Sequence, residues 1–279
     1  MAVRELIAEN IKRARKIRKI SRENLSSLTG ISNEKLRNFE SAKEFQDSYS
    51  VRKISTALNI GIDFFYESPE ETESKILLKR SGLPKFEKES IFELARYKTK
   101  SVADLAIVLN LNKFRPPQNF KQDPTEEDAR ELGRELARNW STDGDSLVSC
   151  MEANGVFIVP LPVDNPLFRG LFISRKSVPI VAIYEKERMG TNPIDDICHE
   201  IGHAALMGQS LQEDTEERLC DSFGQEFSKI IKTRKIELGK FDFVDRMSMK
   251  AYREGAITAS RAAEMLETSL TDFLERSKH

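Results

Sequence analysis

Apolar residues near the start of the chain recur at helical spacing: Leu6, Ile7, Ile11, Ala14 and Ile17 form one stripe, ringed by Lys12, Arg13, Arg15, Lys16, Arg18 and Lys19. This pattern predicts an amphipathic helix. Two shorter helices follow in "SRENLSSLTGISNEKLRNFE", with Ser21 capping the first to about Leu28, Gly30 supplying a tight turn, and Ser32 capping the second through Glu40. Leu25, Leu28, Ile31, Leu36 and Phe39 are expected to meet between them. Residues 70–118 read as helical, with breaks at "SGLP" and "RPPQNF". Beyond them Asp123 is the expected cap of a helix with Pro124 in its first turn, Glu126, Glu127 and Asp128 at its positive end, and Ala129, Leu132 and Leu136 as its buried stripe. A helix over Ser146–Ala153 leads to three β-branched runs, "GVFIVPLPV", "GLFIS" and "VPIVAIYE", read as strands. Two helical stretches, "DDICHEIGHAALM" and "EERLCDSF", come next, and a helix pair broken at Gly255 and recapped at Thr258 ends the chain. The expected fold class is α+β and predominantly helical.

Charge divides this pattern. The 44 basic and 45 acidic residues nearly cancel overall, yet the first sixty residues hold thirteen Lys/Arg against seven Asp/Glu. Such a segment suits a polyanion. Four regions are expected: 1–68 basic and helical, 69–120 a helical linker, 121–235 a small sheet beside a histidine-bearing helix, and 236–279 a C-terminal helical segment. No run is apolar enough for a membrane span or a secretory signal, so a cytoplasmic location with no membrane partner is expected. Cys150, Cys198 and Cys220 are odd in number and lack framework spacing, which argues against disulfides.

The N-terminal region is similar to the Cro/repressor-type (XRE) helix-turn-helix family over about residues 5–66. The likeness rests on the Ile11 and Arg15 pair, "LTGIS" at the turn, Glu40 closing the second short helix, and "ISTALNIGIDFFY". It implies a DNA operator as partner, a Glu40–Arg15 pair, base contacts from Ser32, Asn33, Lys35 and Arg37, and phosphate contacts from Arg22 and the basic residues of the first helix. Arg22 stands where the family usually has glutamine, and Ser41 where it favours glycine. A homodimer reading two half-sites is the usual working form.

"HEIGH" carries the other chemistry. On a helix His199 and His203, four apart, project from one face and can share an ion, while Glu200 lies one position round. Neutral imidazoles bind Zn2+, an open coordination position keeps a water, and the carboxylate takes that water's proton. Every internal histidine of the chain is in this motif. A third ligand is needed. Glu217 is preferred because Asp221, four residues on, shares its face and can accept a hydrogen bond from a metal-bound imidazole; Glu213, Asp214 and Glu216 are the other candidates.

Residues 125–230 resemble ImmA/IrrE-type metallopeptidases, which are similar to zinc peptidases of the thermolysin class. The likeness is carried by "LARNWSTDGDSLVSCMEANGVFIV", "VPIVAIYE", "HEIGHAALM" and Glu217-x-x-Cys220-Asp221-x-Phe223. It implies a zincin-like domain that cleaves a partner regulator or itself, with Glu200 activating the water and the edge strand "VPIVAIYE", through Val181 and Ile183, aligning the substrate backbone. Cys198 and Cys220 stand where that family commonly has alanine, and they read as small buried residues. An oxyanion donor is also expected, and Tyr184 and Arg188 lie close by in sequence. The competing expectation is a non-catalytic repressor whose metal-bearing domain senses a ligand or partner.

Overall fold

The structure, a computed structural model, describes residues 2–68, 73–78, 82–111, 113–117, 121, 123–140, 146–185 and 192–278, with only the backbone of 73–77. Arg188, Ser81 and the end of the "RPPQNF" break lie outside the described residues. The fold is α+β and predominantly helical. It divides into two compact units, one made of Met1–Thr72, Pro84–Tyr97 and Tyr252–His279, the other of Glu73–Leu83 and Lys98–Ala251.

The first unit begins with α1 (Val3–Arg18), α2 (Arg22–Thr29), α3 (Asn33–Glu40) and α4 (Ser48–Leu58), followed by a 3-10 turn over Ile62–Tyr66. Ser21 and Ser32 cap α2 and α3 by accepting the Asn24 and Lys35 amides, and Gly30 makes the turn between them with φ +67°, a conformation free of steric cost only for glycine. Of the α1 stripe, Ile7, Ile11, Ala14 and Ile17 are buried together with Leu25, Leu36, Phe39, Ile54 and Phe65 while Leu6 is half-buried, and each large buried side chain contributes about 2 kcal/mol. Leu28 departs from expectation. It is 60% exposed, because it falls on the outer side of the last turn of α2. Buried Asn10 closes the 3-10 turn onto α1 by donating to the carbonyls of Phe65 (3.2 Å) and Glu67 (2.9 Å).

The start of α5 (Lys85–Val108) belongs to this unit, as do α11 (Ala259–Met265) and α12 (Leu270–Arg276), which follow α10 (Phe243–Arg253) at the end of the chain. The closing helices thus belong to the same unit as the N-terminal ones, where Arg18 reaches Glu267 at 3.8 Å.

The second unit is built on a four-stranded sheet of order β1-β3-β4-β2, from β1 (Glu73–Leu78), β2 (Phe157–Leu161), β3 (Gly170–Arg175) and β4 (Val178–Tyr184). β1 and β3 are antiparallel, as are β3 and β4, whereas β2 runs parallel to β4. β1 corrects the sequence reading of 70–118 as helical: "ESKILL" pairs along β3, a long-range partner that local periodicity does not reveal. Around the sheet stand α6 (Glu126–Trp140), α7 (Leu147–Ala153), α8 (Pro193–Ala205) and α9 (Glu213–Thr233). α6 starts later than expected. Thr125, not Asp123, exchanges hydrogen bonds with Asp128, the Asp128 amide donating to Thr125 Oγ1 (3.2 Å) and the Thr125 amide to Asp128 Oδ2 (2.9 Å).

Glycine lets α9 approach both neighbours. A Cβ at Gly133 of α6 would meet the Phe223 carbonyl oxygen at 2.5 Å, and one at Gly224 of α9 would meet the His199 backbone nitrogen at 2.9 Å. The second close approach brings α8 and α9 into register where the motif residues face each other.

Candidate metal centre

Asn192 accepts the Ile194 amide and Pro193 occupies the first turn, so α8 begins with a capped end and carries Asp195 and Asp196 near its positive pole. Asp196, His199, Glu200 and His203 then fall on one face. Glu217, in the first turns of α9, is brought opposite them. Its Oε2 lies 3.5 Å from His199 Nε2 and its Oε1 lies 3.3 Å from His203 Nε2.

These three side chains form a group that could hold a metal ion, their ligand atoms all within 4.8 Å of one another. Both Nε2 atoms are buried and make no hydrogen bond. Two atoms bound to one tetrahedral zinc are about 3.3 Å apart, which is the spacing the carboxylate keeps from each imidazole. The two inward nitrogens therefore fit a metal better than they fit each other or the solvent.

The outward nitrogens are also placed. Asp221 Oδ1 faces His199 Nδ1 at 2.9 Å, while Glu216 Oε1 meets His203 Nδ1 at 3.2 Å with Cys220 Sγ at 3.3 Å from the same atom. Glu216 was one of the open choices for third ligand; it is buried and turned to the far side of the imidazole, whereas Glu213 and Asp214 are exposed. Burial pulls the His199 pKa down, but Asp221 and Glu217 outweigh it and the net direction is upward. For His203 burial is likewise outweighed, by Cys220, Glu216 and Glu217. Burial pushes Glu217 up, yet the two imidazoles hold its carboxyl below the ordinary carboxylate range. Burial raises the Cys198 thiol well above its usual value and Cys220 to about 11. All three cysteines are buried and free.

Glu200 is 1% exposed and lies against β3, where a Cβ on Gly170 would stand 3.1 Å from its Oε1. Only a glycine leaves the carboxylate that room. Tyr184 gives its hydroxyl to Asp196 Oδ2 at 3.1 Å, and Arg169 donates Nε to Asp196 Oδ1 at 3.0 Å. The sequence reading singled out none of Asp196, Arg169 and Gly170; the four-residue spacing to Glu200 on one helix was the signal for Asp196, whereas only the fold brings Arg169 and Gly170 to α8.

Val181 and Ile183 do not form an edge. β4 lies between β3 and β2, with Val181 paired to Phe172 and Ile158 and Ile183 to Gly170 and Pro160, and both side chains are 0% exposed. Their backbone groups are already used by two neighbours, which excludes strand addition there.

In the first unit four basic residues of α1 are paired with other parts of the unit. Arg15 donates to both Glu40 oxygens (2.6 and 3.0 Å), Arg13 pairs with Glu93 (2.7 Å), Lys16 with Glu89 (3.0 Å), and Arg18 binds the Leu58 carbonyl at 2.7 Å. Arg22, expected on a phosphate, closes onto Glu40 Oε2 at 3.0 Å, because that buried carboxylate has room for a second guanidinium. On α3, Arg37 is exposed, Lys35 lies over the Phe39 ring at 5.3 Å, Asn33 donates to Glu23 at 3.0 Å, and Ser32 is the exposed cap. No protein family, curated protein or solved structure matches the chain.

Proposed function

We propose that the chain is a DNA-binding transcription regulator whose second unit is a zinc endopeptidase of the ImmA/IrrE kind, acting on a partner regulator or on the chain itself. The observation that supports the peptidase half is the meeting of His199, His203 and Glu217 beside Glu200. Two imidazoles and one carboxylate are a catalytic zinc set, three protein ligands that leave one position open. When bound, zinc lowers the pKa of a water and polarises a carbonyl. Glu200 takes a proton on its carboxylate and returns it to the leaving nitrogen. Glu216 fixes the tautomer that aims the His203 Nε2 inward, and Asp221 Oδ1 stands 2.9 Å from the His199 Nδ1. With β4 enclosed, the substrate backbone adds to β1, which has β3 as its one neighbouring strand among the described residues.

The DNA half rests on α3, which presents Ser32, Asn33, Lys35 and Arg37 for the major groove, a dimer supplying the second half-site. No helix among the described residues is long and apolar enough to cross a membrane, in keeping with a cytoplasmic regulator.

The test is incubation of the zinc-loaded chain with candidate regulator proteins, and with itself alone. Fragments are expected from the wild type and none from Glu200→Gln, which keeps its zinc; fragments from Glu200→Gln at the wild-type rate would remove Glu200 from the mechanism. The burial of Glu200 and His203, each 1% exposed, favours a second reading as a metal-bearing sensor. That reading expects operator affinity that changes with an effector and no cleavage.

A further inference from the structure

We infer that Arg169 receives a carboxylate of the substrate next to the bond that is cut, making the site selective for peptides with an acidic residue there; the inference rests on the zinc peptidase reading.

Arg169 immediately precedes Gly170, whose ideal Cβ position is 3.1 Å from Glu200 Oε1, so its backbone is one residue from the proposed base. The guanidinium is anchored at one corner only. Nε donates to Asp196 Oδ1 at 3.0 Å, and Asp196 is itself gripped by the Tyr184 hydroxyl at 3.1 Å and 6% exposed. Asp196 stands four residues before Glu200 on the same face of α8, an axial offset of about 6 Å. Nη1 and Nη2 form no hydrogen bond with a described residue, and the side chain is 39% exposed.

A fork held by Nε, with both Nη groups open, has the geometry that takes a carboxylate through two parallel N–H bonds. A main-chain carbonyl would satisfy only part of it. Because Arg169 adjoins Gly170, which lies against Glu200, the acid is assigned to a position beside the scissile bond.

The probe is the chain loaded with Co2+ in place of zinc, whose visible absorption reports the metal, titrated with two hydroxamates of equal length, one ending in a carboxylate and the other in a primary amide. The wild type is expected to bind the carboxylate about tenfold to a hundredfold more tightly. Arg169→Gln, which can still donate to Asp196, should bind both alike. Arg169→Lys, which keeps the cation and loses the paired fork, should retain part of the preference and serves if the glutamine variant does not fold. Equal binding of the two compounds by the wild type, or a preference undiminished in either variant, overturns the assignment while leaving the metal site standing. A wild-type chain that takes up no cobalt overturns the peptidase reading and this inference with it.

Discussion

Glu40 and Glu216 are both buried carboxylates, 3% and 2% exposed, yet only the first had a legible role. Its partner in α1 was expected at Arg15, and the bidentate pair is there at 2.6 and 3.0 Å. Glu216 reads in the sequence as one of several acids beside Glu217, and nothing local says that one residue's rotation about α9 turns it to the opposite nitrogen of the same imidazole. Because Glu216 holds His203 from within the protein while the Asp221 side chain is 49% exposed on His199, the two should differ in weight. Glu216→Ala is expected to weaken zinc binding by about tenfold to a hundredfold, and Asp221→Ala by less, water replacing the lost oxygen. Competition titration against a chromophoric chelator reads both, and equal losses would contradict the role given to burial.

At the scale of elements, local chemistry located most helices and three of the four strands. Ser21, Ser32 and Thr258 all accept the amide expected of a cap, because capping is decided within one turn. β1 escaped because its strand character comes from pairing with β3, and the strand taken for an edge turned out central for the same reason: sheet order is a long-range property. The basic face of α1 misled differently, since a helix of alternating apolar and cationic residues looks the same whether its cations meet phosphate or the carboxylates of neighbouring helices. With Arg13, Arg15, Lys16 and Arg18 engaged internally, the DNA binding proposed here rests on α3. Arg37→Ala, at an exposed position, should cost about 1–3 kcal/mol of discrimination at one base pair with no loss of stability. Fluorescence anisotropy on operator and scrambled duplexes checks it, and unchanged operator affinity would count against α3 as the reading helix.

For the whole molecule, a metal bound at His199, His203 and Glu217 would link folding to pH. In the metal-free chain His199 and His203 bind protons more tightly than free imidazole, so their contribution to stability is full below the ordinary value of about 6.5 and is lost as pH rises through the raised values. Zinc needs both imidazoles neutral and competes with those protons. The gap in melting temperature between the zinc-loaded and chelator-treated chain should therefore widen from about pH 6 to about pH 8, and a constant or narrowing gap would break the link. The most direct measurement of the central claim is the zinc content of purified wild type, His203→Ala and Glu217→Ala by elemental mass spectrometry. The wild type should carry about one zinc per chain and both variants close to none, since each lacks one of three protein ligands. A wild type without zinc, or variants that keep it, would mean that His199, His203 and Glu217 are not a zinc site.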